Sequence, residues 1–110
     1  MVEQGDIIML NFDPQSGHEQ SGFRPAVVIS NNIFNSKTSM AIVCPITNTK
    51  REFPLHIPLD NRTETTGYVL CEHIKSLDLN SRKSKVIERI PDDILNIIIA
   101  TVFSEMDRPQ

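Results

Sequence analysis

Between Gly17 and Gly22 the chain sets His18, Glu19, Gln20 and Ser21, and after Phe23 it runs through Arg24-Pro25 into Ala26-Val27-Val28-Ile29. Two glycines can adopt backbone angles closed to other residues, so this segment can turn tightly and leave an imidazole, a carboxylate and an amide projecting outward. Pro25 steers Arg24 away from helical angles, which puts the guanidinium at the point where the loop becomes a buried strand. A planar fork of fixed charge on a rigid strand end, beside an acid and an imidazole, suits recognition of phosphate or carboxylate oxygens. The same residues also fit a plain polar turn closed by an Arg24–Glu19 surface ion pair.

Further along, Thr47 follows an apolar run and can donate a hydroxyl hydrogen bond to a phosphate, or simply cap a turn. Lys50, Arg51, Lys75, Arg82 and Lys83 could line a local positive groove, or each could be a solvated surface charge. His18, Glu19, His56, Glu72 and His73 have no recognised ligand spacing, so neither a metal nor another cofactor is expected. Cys44 and Cys71 each sit in an apolar run and read as small buried hydrophobes more than as a disulfide.

These groups must be positioned by 110 residues, enough for one compact domain over positions 1–110. A net charge of −3 argues against a general, sequence-blind nucleic-acid binder but permits a local basic groove. The N-terminal residues lack the order of a signal peptide and no apolar run approaches membrane-spanning length, so a cytoplasmic protein is expected.

Residues 6–12 are almost continuously apolar and predict a first strand covered on both faces, ended by Asp13-Pro14. The second strand runs over 24–30, and Asn31-Asn32 break it; Ile33 and Phe34 are expected to dip into the core from a short helical turn. A third strand over 40–46 carries Pro45, which implies an edge position or a strand exit. Residues 55–59, between Pro54 and Pro58, give a short strand; 60–66 read as a loop that Gly67 closes. Residues 68–77 predict one continuous strand, with Cys71, His73 and Lys75 on one face and Leu70, Glu72 and Ile74 on the other. Glu72 and His73 then cannot both line one site without a bulge.

A turn over 78–83, a final strand over 85–90 and a terminal helix complete the chain. Pro91-Asp92-Asp93 opens that helix with a proline that needs no amide partner and two acids at the positive end of the dipole. Ile94, Leu95, Ile98, Ile99, Val102, Phe103 and Met106 form an apolar stripe for the core, while Ile97 on the polar side hints at a dimer contact. Five or six short strands with one terminal helix and no βαβ rhythm indicate a mostly β fold, a small, strongly bent antiparallel barrel.

Several stretches together are more specific than any one: Gly5-Asp6-Ile7, Asp13-Pro14, the segment from Gly17 to Val28 containing His-Glu-Gln-Ser-Gly-Phe-Arg-Pro-Ala-Val-Val, Pro45-Ile46-Thr47, and the run Thr66-Gly67-Tyr68-Val69-Leu70-Cys71-Glu72-His73-Ile74-Lys75-Ser76-Leu77-Asp78. In this order they resemble the MazF/PemK/Kid toxin family over nearly the whole chain. The resemblance implies an SH3-like barrel with a C-terminal helix, a homodimer, and a toxin that cuts single-stranded RNA, chiefly mRNA, without the ribosome. It also implies a MazE-like antitoxin partner.

Position by position, Arg24 matches the family's catalytic arginine and Thr47 its catalytic threonine. Glu19 matches an acidic loop residue needed in some members, and His18 a histidine assigned to the site in the Kid-like branch. Glu72 stands where that branch uses an aspartate as base, but Leu70 replaces its arginine, and His73 replaces a common glutamine. Gln20, Glu72, His73, Lys75 and Lys50 are therefore the candidate RNA contacts. The competing reading on the same barrel is a CcdB-like gyrase poison that is not an enzyme, which works through a C-terminal tryptophan; this chain has none. A peptide-recruiting SH3-like module is a further alternative, poorly served by one tyrosine and five phenylalanines.

Overall fold

The computed structural model of the chain describes residues 1–13, 22–50 and 52–109. Seven strands and two helices follow in the order β1 (Asp6–Asn11), β2 (Phe23–Val28), α1 (Asn32–Thr38), β3 (Met40–Thr47), β4 (His56–Pro58), β5 (Tyr68–Leu70), β6 (Lys75–Asp78), β7 (Lys85–Arg89) and α2 (Asp92–Ser104). Every paired strand is antiparallel, in the order β4-β5-β3-β2-β1-β7 with β6 added to β3. No ladder among the described residues joins β7 back to β4, so the sheet curls like a barrel without closing.

Strand β1 is covered on both faces, as its unbroken apolar run predicts, because Ile7 belongs to one apolar cluster and Ile8 and Leu10 to another. The first cluster lies between the sheet and α2, whose Ile94, Leu95, Ile98 and Val102 are buried in it. Burying each of these side chains contributes about 1.5–3 kcal/mol. The second cluster, with Phe12, Ala26, Val28 and Val43, lies on the opposite face of the sheet. Cys44 and Cys71 are free thiols with no exposed surface.

Four expectations are corrected. Ile33 is exposed and Asn35 is the buried residue of α1, since Ser30 donates its hydroxyl to the Asn35 amide oxygen and Asn35 donates in turn to the Ser30 carbonyl, giving a satisfied polar plug. Phe103 and Met106 are more than half exposed; the stripe buried by α2 stops at Val102. The strand expected over 68–77 is two strands joined by a 3-10 turn, Cys71–His73.

Pro45 is the fourth correction, since it lies in the most connected strand, fully buried. Ile29 donates to the Ile42 carbonyl, so even-numbered residues of β3 turn their polar groups toward β2 and odd-numbered ones turn away. On that far side β6 pairs with β3 up to Val43 and β5 takes over at Ile46. The missing amide of Pro45 therefore falls in the gap between two partners, where no ladder bond is lost.

Candidate active site

Arg24 in β2 and Thr47 in β3 fall on the same face of the sheet. The ladder pairs Val28 with Val43, Val27 with Cys44 and Ala26 with Pro45; Arg24 and Thr47 each lie two residues further along their strands, on the face of Ala26 and Pro45. Opposed residues of an antiparallel pair project to the same face, here the face of Ala26, Val28 and Val43. The arginine and the threonine thus share the face of the second cluster, and both are partly exposed. The β3 pairings Thr47–Tyr68 and Val43–Lys75 bring Tyr68 and Lys75 to that face too.

Thr47 is held firmly. Its hydroxyl oxygen accepts the Thr49 amide at 3.2 Å, so the turn-capping role is real, yet the hydroxyl proton is still available to donate. Thr66 donates to the Asn48 side-chain oxygen at 2.8 Å, tying the following turn to the approach to β5. Lys50 lies exposed just beyond.

The loop that opened the sequence reading is fixed at its base. Phe12 donates its amide to the Gly22 carbonyl at 2.9 Å, and Gly22 donates to the Asp13 carboxylate at 2.8 Å. Arg82 reaches across from the turn after β6 and donates to the carbonyl oxygens of Asp13, at 2.8 Å, and Asn11, at 3.4 Å. This arginine braces backbone, a role its reading as a groove charge did not anticipate. His18, Glu19 and Gln20 lie outside the described residues, as does Arg51.

Glu72 and His73 come together because the 3-10 turn breaks the expected alternation. The Glu72 carboxylate stands 2.6 Å from His56 Nε2 and 3.9 Å from His73 Nε2. His56 is 4% exposed at its side chain, Glu72 30%. The Phe53 ring meets the His56 ring edge-on at 5.1 Å. The sequence reading had placed His56 only in a rejected ligand set; its signal was a histidine in a short apolar strand between prolines, but its partner sits sixteen residues away.

Around this group, burial and then the Glu72 charge push the Glu105 carboxyl upward. The Cys44 thiol is pushed far up by its hydrogen bond with Cys71 and by burial, which makes it unreactive. Among the described residues, no three His, Cys, Asp or Glu side chains converge as a metal site requires.

A bent antiparallel sheet with one terminal helix, carrying an arginine and a threonine on one face, defines a small barrel-like fold. The family model for "PemK-like, MazF-like toxin of type II toxin-antitoxin system" matches residues 3–103, and the chain belongs to that family. It is 34% identical over 102 residues to the endoribonuclease PemK of Escherichia coli, covering 89% of this chain and 77% of that protein. The crystal structure of MazF from Deinococcus radiodurans superposes with a TM-score of 0.90 at 34% identity, over 96% of each chain. A MazE–MazF complex from the same organism gives 0.84 at 34% identity, over 96% of this chain and 95% of that one.

Proposed function

We propose that this chain, acting as one domain, is the toxin of a type II toxin–antitoxin pair. It is a metal-independent endoribonuclease that cuts single-stranded RNA, mainly mRNA, at a short sequence and so halts translation and growth. What supports this reading is that Arg24 and Thr47 share one face of the sheet, both partly exposed, with Arg24 just after the base of the loop that holds His18, Glu19 and Gln20.

The chemistry follows from what RNA supplies. A ribose 2′-hydroxyl loses its proton and attacks the adjacent phosphorus; the bond from phosphorus to the 5′-oxygen breaks, and that oxygen takes up a proton. The products are a 2′,3′-cyclic phosphate and a 5′-hydroxyl. Arg24 meets the charge that builds on the phosphoryl oxygens, since its own charge is permanent and its donors are forked. Thr47 donates its hydroxyl and holds the phosphate in line. Glu19, His18 and Glu72 are the candidates for moving the protons, with the neutral imidazole of His18 the best matched to neutral pH. Lys50 and Lys75 supply local positive charge on a chain of net charge −3, and Gln20, Glu72 and His73 contact bases splayed out of the single strand.

The remaining partners follow from the same reading. An acidic antitoxin segment covers the RNA groove and competes with substrate, and the chain works as a cytoplasmic homodimer. Among the described residues, no helix is long and apolar enough to cross a membrane. A CcdB-like, purely protein-binding action gains nothing from the Arg24–Thr47 pair.

The test is incubation of wild-type and Arg24→Ala protein with a long single-stranded RNA in EDTA, with new ends mapped by primer extension. Discrete cuts are expected from wild type, with a loss on the order of a hundred-fold or more in the variant. Equal cutting by folded Arg24→Ala protein sinks the assignment.

A further inference from the structure

We propose that His56 is a positioning residue for RNA recognition: its buried imidazole holds the Glu72 carboxylate and thereby fixes the 3-10 turn that presents Glu72 and His73. The proposal rests on the reading of Glu72 and His73 as RNA contacts and makes it more specific.

The turn is gripped twice from the edge strand β4. Its first residue, Cys71, donates its amide to the Leu55 carbonyl at 3.1 Å, and its second, Glu72, meets the His56 ring at 2.6 Å. Because a carboxylate can only accept, Nε2 of His56 carries the proton and donates it to Oε2 of Glu72. The imidazole is nearly inaccessible while the carboxylate is not, so the bond is shielded on the protein side and open on the other. Strand pairing sets His56 opposite Leu70, and the Phe53 ring fixes the plane of the imidazole, so its orientation is determined before any substrate arrives. At 3.9 Å, His73 is too far to make a second hydrogen bond to Oε2.

The consequence for substrate is chemical. With Oε2 engaged by His56, the partly exposed Glu72 offers its other oxygen as an acceptor of fixed direction. Adenine, cytosine and guanine present an exocyclic amino donor to such an acceptor, whereas uracil offers only its ring N3–H, flanked by two carbonyl oxygens that a carboxylate repels. One position of the cleaved word therefore selects against uracil, and it does so only while His56 holds the carboxylate.

The experiment sequences the ends produced by the full chain from a long RNA of mixed sequence, using wild type, His56→Ala, His56→Gln and Glu72→Gln. Wild type is expected to cut poorly where uracil stands at one position of the word. His56→Ala admits it and raises KM for the preferred word about ten-fold more than it lowers kcat. His56→Gln, whose amide N–H reaches the same carboxylate, restores the selection, which a loss of packing alone would not allow. Glu72→Gln, tested even if His56→Ala fails to fold, also broadens that position. An unchanged profile in Glu72→Gln, or broadening in His56→Ala that His56→Gln does not reverse, overturns the proposal alone. No cutting by folded wild type overturns the nuclease reading and this proposal with it.

Discussion

Gly67 lies against the backbone of Thr47 so closely that a Cβ at position 67 would fall 2.2 Å from the Thr47 carbonyl oxygen. Its φ of +119° is closed to residues with side chains, so both space and backbone angle demand glycine here. The contact sets the height of Thr47 above β5, with Leu59 donating to the Gly67 carbonyl at 2.9 Å from the other side. Gly67→Ala is expected to lower stability by about 1–3 kcal/mol and to lower RNA cleavage by about ten-fold or more at temperatures where the variant is folded. Denaturant midpoints and cleavage rates measured together check this; a variant as stable and active as wild type would remove Gly67 from the site's support.

Arg82 gives the second prediction. If it served mainly as a groove charge, Arg82→Ala would weaken RNA binding and flatten its dependence on salt. As the brace of the Asp13 and Asn11 carbonyls, it instead holds the loop base closed by Phe12, Gly22 and Asp13. Arg82→Ala is expected to speed hydrogen exchange at the Gly22 amide and to cut kcat by about ten-fold, leaving the salt slope of binding nearly unchanged. A reduced salt slope with unaltered exchange at Gly22 would return Arg82 to the groove.

How much of this could be read from sequence depends on how local its causes are. The apolar run of β1, the Pro91-Asp92-Asp93 helix start and the placing of Arg24 by Pro25 each follow from neighbouring residues, and the structure agrees. Thr47, read as just beyond a strand, is the last residue of β3, and the face it shares with Arg24 follows only from the β2–β3 pairing. The break of the 68–77 run was not legible, because β3 imposes it from outside: β5 and β6 share the same side of β3, and the chain must step from one position to the other. That step brings Glu72 and His73 together, and the β4–β5 pairing then delivers His56. Ile33 misled for a similar reason, since Asn35 turns inward only because Ser30 is there to bond it.

Acid should loosen the site through Glu88. Burial raises this carboxyl, but hydrogen bonds from the Thr65 hydroxyl and amide and from the Glu64 amide more than offset it, so the folded value lies below the ordinary one. Asp60 and Asp93 are likewise lowered, chiefly by the Arg62 guanidinium. A group with a depressed folded value contributes stability above its unfolded value and loses it as pH falls through the folded one. Stability is therefore expected to fall below the ordinary carboxylate range, beginning in the loop that leads to Gly67. Glu88→Gln should lower the thermal midpoint at pH 7 and shrink its decline from pH 5 to pH 3. A decline as steep as that of wild type would show that Glu88 is not responsible.

The exposed side of α2 supplies the last prediction. Ile29, Phe34, Ile74, Val102, Phe103 and Met106 line an open, mostly apolar cavity of about 310 Å³ between α1, β3 and the end of α2. Phe103 is 63% exposed and Met106 62%, more apolar surface than a monomer leaves uncovered without cost. Ile97, 51% exposed, lies on the opposite flank of the helix's buried stripe, since successive residues advance by about 100°. The homodimer proposed above is therefore expected to form through Phe103 and Met106 and not through Ile97. In sedimentation at micromolar concentration, Phe103→Arg should shift the wild-type dimer to monomer, while Ile97→Arg should not. Dissociation by Ile97→Arg alone would place the contact on the other flank, and a concentration-independent monomer mass for wild type would refute the dimer itself.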